Sequence, residues 1–204
     1  DSYESFSDRA SLIEARGKGG SLVDADLSFL DLRDINLSGL DLTGAVFTGS
    51  DLTGANLEKC NLSSIFAQDA KMGRMRVKGG IATQAFFQQT SLEGVDFSGL
   101  ELTGANFLLC QMPGVRFDGA NLPGATIMSS NLEGATFHDC NLEGGLLRES
   151  ELEGASFKSC NLTNVDLRKS ILLNAVFEDV KADGALIYGK PPWEGKISDT
   201  DYAK

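Results

Sequence analysis

The stretch that decides the fold, residues 130–149, reads SNLEG ATFHD CNLEG GLLRE when it is cut every five residues. The third residue of each of these four blocks is Leu or Phe. The same register continues without a shift from Leu22 to Ile187, which makes 34 consecutive blocks. The third residue is always Leu, Phe, Ile, Met, Val or Ala, and it is never charged. A period of five therefore organises most of the chain.

This period fits neither of the common secondary structures. A helix of 3.6 residues per turn cannot keep every fifth residue on one side, and a flat strand alternates with a period of two. The first residue of a block is small or apolar, the second is often Asp or Asn, and the fifth is often Gly. Such blocks predict a short extended piece followed by a turn, repeated along the chain.

A longer period of 20 residues indicates how many blocks make one coil. When the third residues of the blocks are grouped by a period of 20 residues, one group contains five consecutive phenylalanines: Phe97, Phe117, Phe137, Phe157 and Phe177. The first residues of another column include Ser130, Ser150 and Ser170. This separation predicts four blocks per coil, about eight coils, and a rod roughly 40 Å long at the spacing of β-strands.

Blocks such as ANLEK at 55–59 and ANLPG at 120–124 resemble the pentapeptide-repeat family, whose pattern is A(D/N)LXX. The resemblance covers residues 20–189. It implies an all-β fold, a right-handed quadrilateral β-helix, in which the first and third residues of each block point inward.

The two ends of the rod need caps because their strand edges are open. We expect residues 1–19 to form an N-terminal cap with a short helix over 8–16, with Ser7 as its N-cap and Gly17 as its C-terminal stop. The helix residues expected to cover the first coil are Leu12, Ile13 and Ala15. Residues 190–204 form a C-terminal tail in which Pro191 and Pro192 end the repeat, Trp193 covers the last coil, and 194–204 are irregular.

Residues 64–90 lack the Asp/Asn-Leu signature, although their inward positions still suit a core. They carry a net charge of +3 within a chain of net charge −11. The outward residues include the cations Lys71, Arg74, Arg76 and Lys78. Two interpretations stay open: an irregular coil or loop, or a regular coil that carries a specialised surface.

One face of the coil is expected to be unusually apolar on its outer side. The residues assigned to it are Val46, Phe66, Phe86, Leu108, Met128 and Leu146, together with Leu186 and Tyr188. Contiguous exposed apolar surface is typical of an interface, whereas isolated surface hydrophobes are ordinary. We expect this face and the four cations to bind a protein partner or a second copy of the chain.

The composition disfavours some partners and compartments. A strongly acidic chain is repelled by nucleic acid and by anionic membranes, so no direct nucleic-acid binding is expected. No apolar run reaches the length of a membrane span, and no secretory signal is recognised. The four cysteines follow the repeat at inward positions, which favours free thiols and a cytoplasmic location. The alternative is an exported or organellar protein whose targeting segment has been removed.

No constellation of catalytic residues stands out. The sole histidine, His138, has no evident base or nucleophile partner, and it excludes a multi-histidine metal centre. The cysteine spacings match the repeat and not a zinc motif. An acidic group on one face (Glu93, Glu133, Glu151 and Glu153) indicates a wet surface or, at most, weak cation binding. We therefore expect no enzyme, no cofactor and no metal site.

The sequence thus predicts a non-enzymatic scaffold for macromolecular interactions. The family resemblance implies two alternatives. One is an acidic mimic of DNA that binds a type II topoisomerase and protects it from quinolone-type inhibitors, although no C-terminal dimerisation helix or protruding loop is evident here. The other is a bacterial effector, or an organellar or cyanobacterial protein.

Overall fold

The computed structural model describes residues 6–18 and 21–194. Within these ranges the chain forms one α-helix, seven short strands and a 3-10 turn. The elements are α1 (Arg9–Gly17), β1 (Phe66–Gln68), β2 (Phe86–Gln88), β3 (Asn106–Leu108), β4 (Thr126–Met128), β5 (Thr136–His138), β6 (Ser156–Lys158), β7 (Val176–Glu178) and the 3-10 turn (Pro192–Glu194).

Parallel pairing between residues n and n+20 builds the rod. It begins with Asp26 opposite Val46 and continues to Asp166 opposite Leu186, a span of eight coils of 20 residues. Strands β1 to β4 form one parallel sheet in chain order, and β5 to β7 form another. The quadrilateral β-helix predicted from the sequence is confirmed.

The four faces of the rod are named here in chain order by their inward third residues. Face A contains Leu22 and every twentieth residue after it, face B starts at Leu27, face C at Leu32 and face D at Leu37. Sheet β1–β4 lies on face B, and sheet β5–β7 lies on face D. Because the chain passes through the faces in the order A, B, C, D, faces B and D are opposite.

Aromatic packing between coils fills the core and agrees with this arrangement. On face D, Phe137 stacks on Phe117 and Phe157 with ring centroids 5.2 and 4.6 Å apart. On face B, Phe87 and Phe107 stack at 4.9 Å. The two columns meet edge to face across the core, as Phe107 and Phe117 do at 5.8 Å. The predicted phenylalanine column therefore exists, and it is interlocked with a shorter column on the opposite face.

Every corner of the coil requires a left-handed backbone conformation. The fifth residue of all 34 blocks from Asp24 to Gly189 has a positive φ, and 16 of these residues are glycine. Gly134, with φ 68°, has no atom within 4 Å of the place where a Cβ would stand. The preference for glycine there comes from backbone conformation and not from lack of space.

The second residue of a block explains the recurrent Asp and Asn. Its side chain accepts a hydrogen bond from the backbone N–H of the residue two positions later. In one example, the N–H of Thr53 donates to Oδ1 of Asp51 at 3.0 Å, and in another the N–H of Glu133 donates to Asn131 at the same distance. This local bond supports the turn at each corner.

A buried hydroxyl ladder runs along the corner between faces B and C. The hydroxyl of Ser130 accepts a hydrogen bond from the N–H of Cys110 at 3.1 Å, and Ser150 does the same for Ser130 at 3.3 Å. The Ser150 hydroxyl also donates to the carbonyl of Ile127 at 3.0 Å. The serine column seen in the sequence therefore satisfies buried backbone groups that the coil leaves unpaired.

The N-terminal helix is confirmed, but its start differs from the prediction. The N-cap is Asp8 and not Ser7, because the Asp8 carboxylate accepts a hydrogen bond from the backbone N–H of Ser11 at 2.8 Å. Gly17 is the last helical residue, and Lys18 follows it as the C-cap.

Leu12 alone among the described residues of α1 is buried, while Ile13 is 51% exposed and Ala15 is half-buried. The prediction that Ile13 covers the first coil is wrong. The helix turns this side chain outward and is held on the rod by Leu12 and by a bond from Arg16 to the carbonyl of Ser38.

At the C-terminal end, Trp193 packs against the last coil as expected. Its ring meets Phe177 edge to face with centroids 5.7 Å apart. The prediction of an irregular tail concerns mainly residues 195–204, which lie outside the described residues.

Residues 64–90 form regular coils. Phe66 pairs with both Val46 and Phe86, and Lys71 pairs with Asp51 and Ser91. The inward residues of the segment, such as Met72 and Phe87, are buried. The coil persists because its core positions are kept, whereas only the outward residues depart from the consensus.

Candidate interaction surfaces

Face B carries a row of apolar side chains on its outer side. Val46, Phe66 and Phe86 follow one another on three consecutive coils at the same backbone register. The rings of Phe66 and Phe86 stack in parallel with centroids 5.2 Å apart and an interplanar angle of 1°. Phe66 is 37% exposed, and Val46 and Phe86 are half-buried. The stacked rings form a flat apolar surface that faces the solvent.

A second outer row on face B continues this surface toward the C-terminal end. Leu108 pairs with Met128 on the next coil, and Leu146, which belongs to the first row, is 41% exposed. All six apolar residues singled out from the sequence therefore lie on one face.

The sequence reasoning missed two exposed residues of the same face. Phe29 is 78% exposed and Leu109 is 45% exposed, and both occupy the fifth position of a block with a positive φ. The 20-residue period places both residues on face B, but the predicted apolar surface consisted only of residues at the second and fourth positions of a block.

An ion-pair cluster interrupts the apolar surface near its C-terminal end. Asp166 lies between Leu146 and Leu186 in the order of paired coils. Its carboxylate accepts a hydrogen bond from Nη2 of Arg168 at 2.8 Å and lies 3.7 Å from Nε of Arg148. Asp166 is 5% exposed. The hydrogen bonds from Arg168 lower the pKa of Asp166, and the charges of both arginines act in the same direction.

The structure does not bring the four predicted cations to face B. Lys71 lies on the outer side of face C, Arg74 lies at the corner between C and D, and Arg76 and Lys78 lie on face D. Arg76 and Lys78 are therefore on the opposite side of the rod from Phe66. Because each block of five turns one corner, cations within eight residues of sequence cover two faces. Arg74, Arg76 and Lys78 line a groove of about 530 Å³ on face D.

His138 has neighbours that the sequence did not suggest. Its Nε2 is 2.9 Å from the hydroxyl of Ser156, and its Nδ1 is 3.8 Å from Oδ1 of Asp118. These residue types resemble a nucleophile, base and orienting acid, but the Asp118 distance is too long for a hydrogen bond. The backbone N–H of Ser156 donates to the carbonyl of Ala135, so it is not free to stabilise an oxyanion. The group is best explained as surface hydrogen bonding between coils.

The cysteines provide no reactive thiolate. All four are free and buried, and Sγ of Cys140 is 2.9 Å from Sγ of Cys160 on the next coil. The hydrogen bond with Cys160 and burial together raise the pKa of Cys140. Burial raises the pKa of Cys110 to about 11. The thiols of Cys110 and Cys140 are therefore protonated at neutral pH, and all four buried cysteines act as small core side chains.

Within residues 6–18 and 21–194, no group of three or more His, Cys, Asp or Glu side chains is placed to hold a metal ion. No helix in these ranges has the length and apolar character needed to cross a bilayer.

Taken together, the fold and its surfaces define a class of protein: a rigid four-sided solenoid that displays outward side chains in rows. The family model for pentapeptide repeats matches eight copies in this chain, over residues 25–63, 77–108, 110–144, 137–172 and 160–186. The chain belongs to the pentapeptide repeat family. The model leaves out residues 64–76, where the outward consensus is lost although the coil continues.

The chain is similar to several solved structures at low sequence identity. HetL from the cyanobacterium Nostoc, a pentapeptide repeat protein involved in the regulation of heterocyst differentiation, is 21% identical, with 89% of this chain and 98% of HetL covered and a TM-score of 0.44. Full-length QnrB1, a plasmid-mediated fluoroquinolone resistance protein, is 18% identical, with 94% and 91% covered and a TM-score of 0.45. A pentapeptide repeat protein of the Arabidopsis thaliana thylakoid lumen is 28% identical, with 55% and 70% covered and a TM-score of 0.25. No curated protein matches the chain significantly.

Proposed function

We propose that this protein is a non-enzymatic interaction scaffold that pairs with a second copy of itself through face B. The observation that carries the proposal is the exposed stack of Phe66 and Phe86, continued by Val46 and by Leu108 and Met128. A contiguous apolar row on one face of a rigid rod is typical of a protein interface.

The arrangement of the face supports a second copy as the occupant. Face B carries apolar residues in two outer rows from Val46 to Tyr188, with Asn106 and Thr126 between Phe86 and Leu146 and the Asp166 ion-pair cluster near the C-terminal end. An antiparallel two-fold pairing of two rods sets such rows against each other, so that each copy uses the same patch. The rows of the solenoid are fixed by coil pairing, so little ordering is needed on association.

The contribution of Phe66 and Phe86 to the free energy of self-association follows from the solvent-exposed area that their rings lose in the dimer. Fully burying a phenylalanine side chain is worth about 1.5–3 kcal/mol, and stacking already covers part of Phe66 and Phe86. We expect each ring to contribute about 1 kcal/mol to association, and a carboxylate in its place to add a desolvation cost. The double substitution Phe66→Asp with Phe86→Asp should therefore weaken self-association by about 100-fold or more.

Sedimentation equilibrium of the wild type and this double variant tests the proposal. The matched control is Ile81→Asp with Ile171→Asp, because these side chains are 45% and 49% exposed at the same block position on faces A and C. We expect a wild-type dimer, a monomeric face B variant and a dimeric control, all with native circular dichroism. Leu146→Lys serves as a second face B variant if the double variant does not fold.

A monomeric wild type at about 100 μM, or equal dissociation of the control, would overturn self-pairing. Capture of another protein from the native host through face B, lost in the double variant, would then indicate a different partner. Retention by the double variant would contradict any binding role of this face.

A further inference from the structure

The groove on face D is a concentration of positive charge in an acidic protein. It is lined by the cations Arg74, Arg76, Lys78 and Arg116 and by the acids Glu58 and Asp96. Its net charge is thus positive, although the chain as a whole carries −11. Within the described residues, no carboxylate lies within ion-pair distance of Arg74, Arg76 or Lys78. These three side chains retain their capacity to pair with an external anion.

A hydroxyl lining this groove is also left without a partner. Oγ of Ser98 is buried and forms no hydrogen bond to any residue of the described ranges, whereas the backbone N–H of Ser98 donates to Asp96 at 2.9 Å. A buried polar atom without a partner is uncommon in native structures. Because this oxygen is buried, the Ser98 side chain must rotate toward the groove before an anion there can accept its hydrogen bond.

The cations are spread along the rod axis and not gathered at one point. The backbone of Arg76 forms a parallel β-bridge with that of Asp96 on the next coil, and the backbone of Asp96 forms one with that of Arg116 on the coil after that. Two coils separate Arg76 from Arg116, or roughly 10 Å at the spacing of paired strands. Residues i and i+3 of an extended polyproline-type segment lie on one side of that segment and are separated by about 9 Å. The spacing therefore suits anionic side chains on a peptide better than one isolated ion.

We propose that this groove binds an acidic peptide segment of a partner protein. Carboxylates of the peptide face Arg76, Lys78 and the Nη1 side of Arg116, whose Nε and Nη2 donate to Asp118, and one acceptor lies near Ser98. A nucleic acid strand is disfavoured because the rest of the surface is acidic and repels a polyanion that extends beyond the groove. The groove is opposite face B, so peptide binding does not depend on self-pairing.

A fluorescein-labelled peptide of eight glutamates is the probe, and fluorescence anisotropy of the full chain is the readout at about 50 and 200 mM salt. The groove variant is Arg76→Gln with Lys78→Gln. The control is Lys71→Gln with Lys181→Gln, which removes the same charge from exposed positions outside the groove. We expect saturable binding that weakens with salt, a Kd raised about tenfold in the groove variant, and a Kd within about twofold of wild type in the control.

Absence of saturable binding by the wild type, or an equal loss in both variants, would overturn the proposal. Tighter binding of an eight-nucleotide oligothymidine than of the peptide would also overturn it, because the groove would then select a nucleic acid. Substitution of Ser98 by Ala should weaken peptide binding without changing the circular dichroism of the protein. An unchanged Kd would contradict the assigned role of that hydroxyl.

Discussion

At the residue scale, each consensus position of the repeat reflects a local requirement of the backbone. The fifth position always has a positive φ, yet residues such as Phe29 and Leu109 occupy it although glycine meets the requirement at lower conformational cost. Both of these residues are exposed on face B. Eighteen of the 34 fifth positions hold a residue other than glycine, so this conformation alone assigns no function to Phe29 or Leu109, whose exposed side chains add to the apolar surface of face B.

Asp166 gives a prediction about pH. Arg168 and Arg148 lower the pKa of Asp166 in the folded chain, so the carboxylate stabilises the fold above its ordinary pKa of about 3.9. This stabilisation is lost as the pH falls through the lowered folded value. The substitution Asp166→Asn should lower the free energy of unfolding at pH 7, and the difference from wild type should shrink as the pH falls below about 4.

Urea unfolding followed by circular dichroism at several pH values measures this difference. Asp183→Asn is the control, because Asp183 is exposed and forms no ion pair with the described residues. A constant difference between wild type and Asp166→Asn at every pH would contradict the electrostatic explanation.

At the element scale, the coil is stabilised by contacts between neighbouring coils. The Phe137 ring stacks on the phenylalanines of the coils before and after it, and it is fully buried. Replacing Phe137 by Ala should lower the free energy of unfolding by about 3–5 kcal/mol, since it removes both stacks and leaves a cavity. The outward substitution Glu133→Ala should change it by less than about 0.5 kcal/mol.

Chemical unfolding of the two variants distinguishes them. Because each coil contacts only its neighbours, Phe137→Ala should also separate the unfolding of the two ends of the rod. Equal stability of the Phe137 and Glu133 variants would show that the aromatic column is not a major source of stability.

The elements that sequence reasoning predicted are those that follow from strict periodicity. The 20-residue period assigns Phe137 to its column and Phe66 and Phe86 to one face, because a coil of fixed length turns sequence spacing directly into spatial position. The predicted N-cap of the helix was wrong because Ser7 and Asp8 are both good N-cap residues. Only the position of the Ser11 N–H, which donates to Asp8, distinguishes them.

Contacts across coils were harder to predict. Ser156 contacts His138 although 18 residues separate them in the sequence. Predicting this contact requires knowledge of both the 20-residue pairing of coils and the direction of each side chain. The four cations were grouped because they are close in sequence, but corners at every fifth residue distribute them over faces C and D. The groove also depends on Ser98 and Arg116 from the next two coils, which a linear search does not associate with Arg76.

At the scale of the whole molecule, the rod presents two different surfaces on opposite sides. Face B is apolar, and face D carries the basic groove, so the two proposed contacts use opposite sides of the rod. The topoisomerase alternative stays a prediction, because the likeness to QnrB1 at 18% identity concerns the fold alone. A supercoiling assay with gyrase and a quinolone tests it, and absence of protection would exclude it. The expected cytoplasmic location also stays a prediction.

Disulfide cross-linking tests the pairing of face B most directly. The native cysteines are buried, so a single exposed cysteine introduced by Gln88→Cys, next to the phenylalanine stack, can be oxidised selectively. The control is Thr83→Cys, at the equivalent block position on face A of the same coil. We predict a covalent dimer for Gln88→Cys that disappears when Phe66→Asp is added, and little dimer for Thr83→Cys. Equal cross-linking at both positions, or a Gln88→Cys dimer that persists when Phe66→Asp is added, would contradict the assignment of face B as the self-pairing surface.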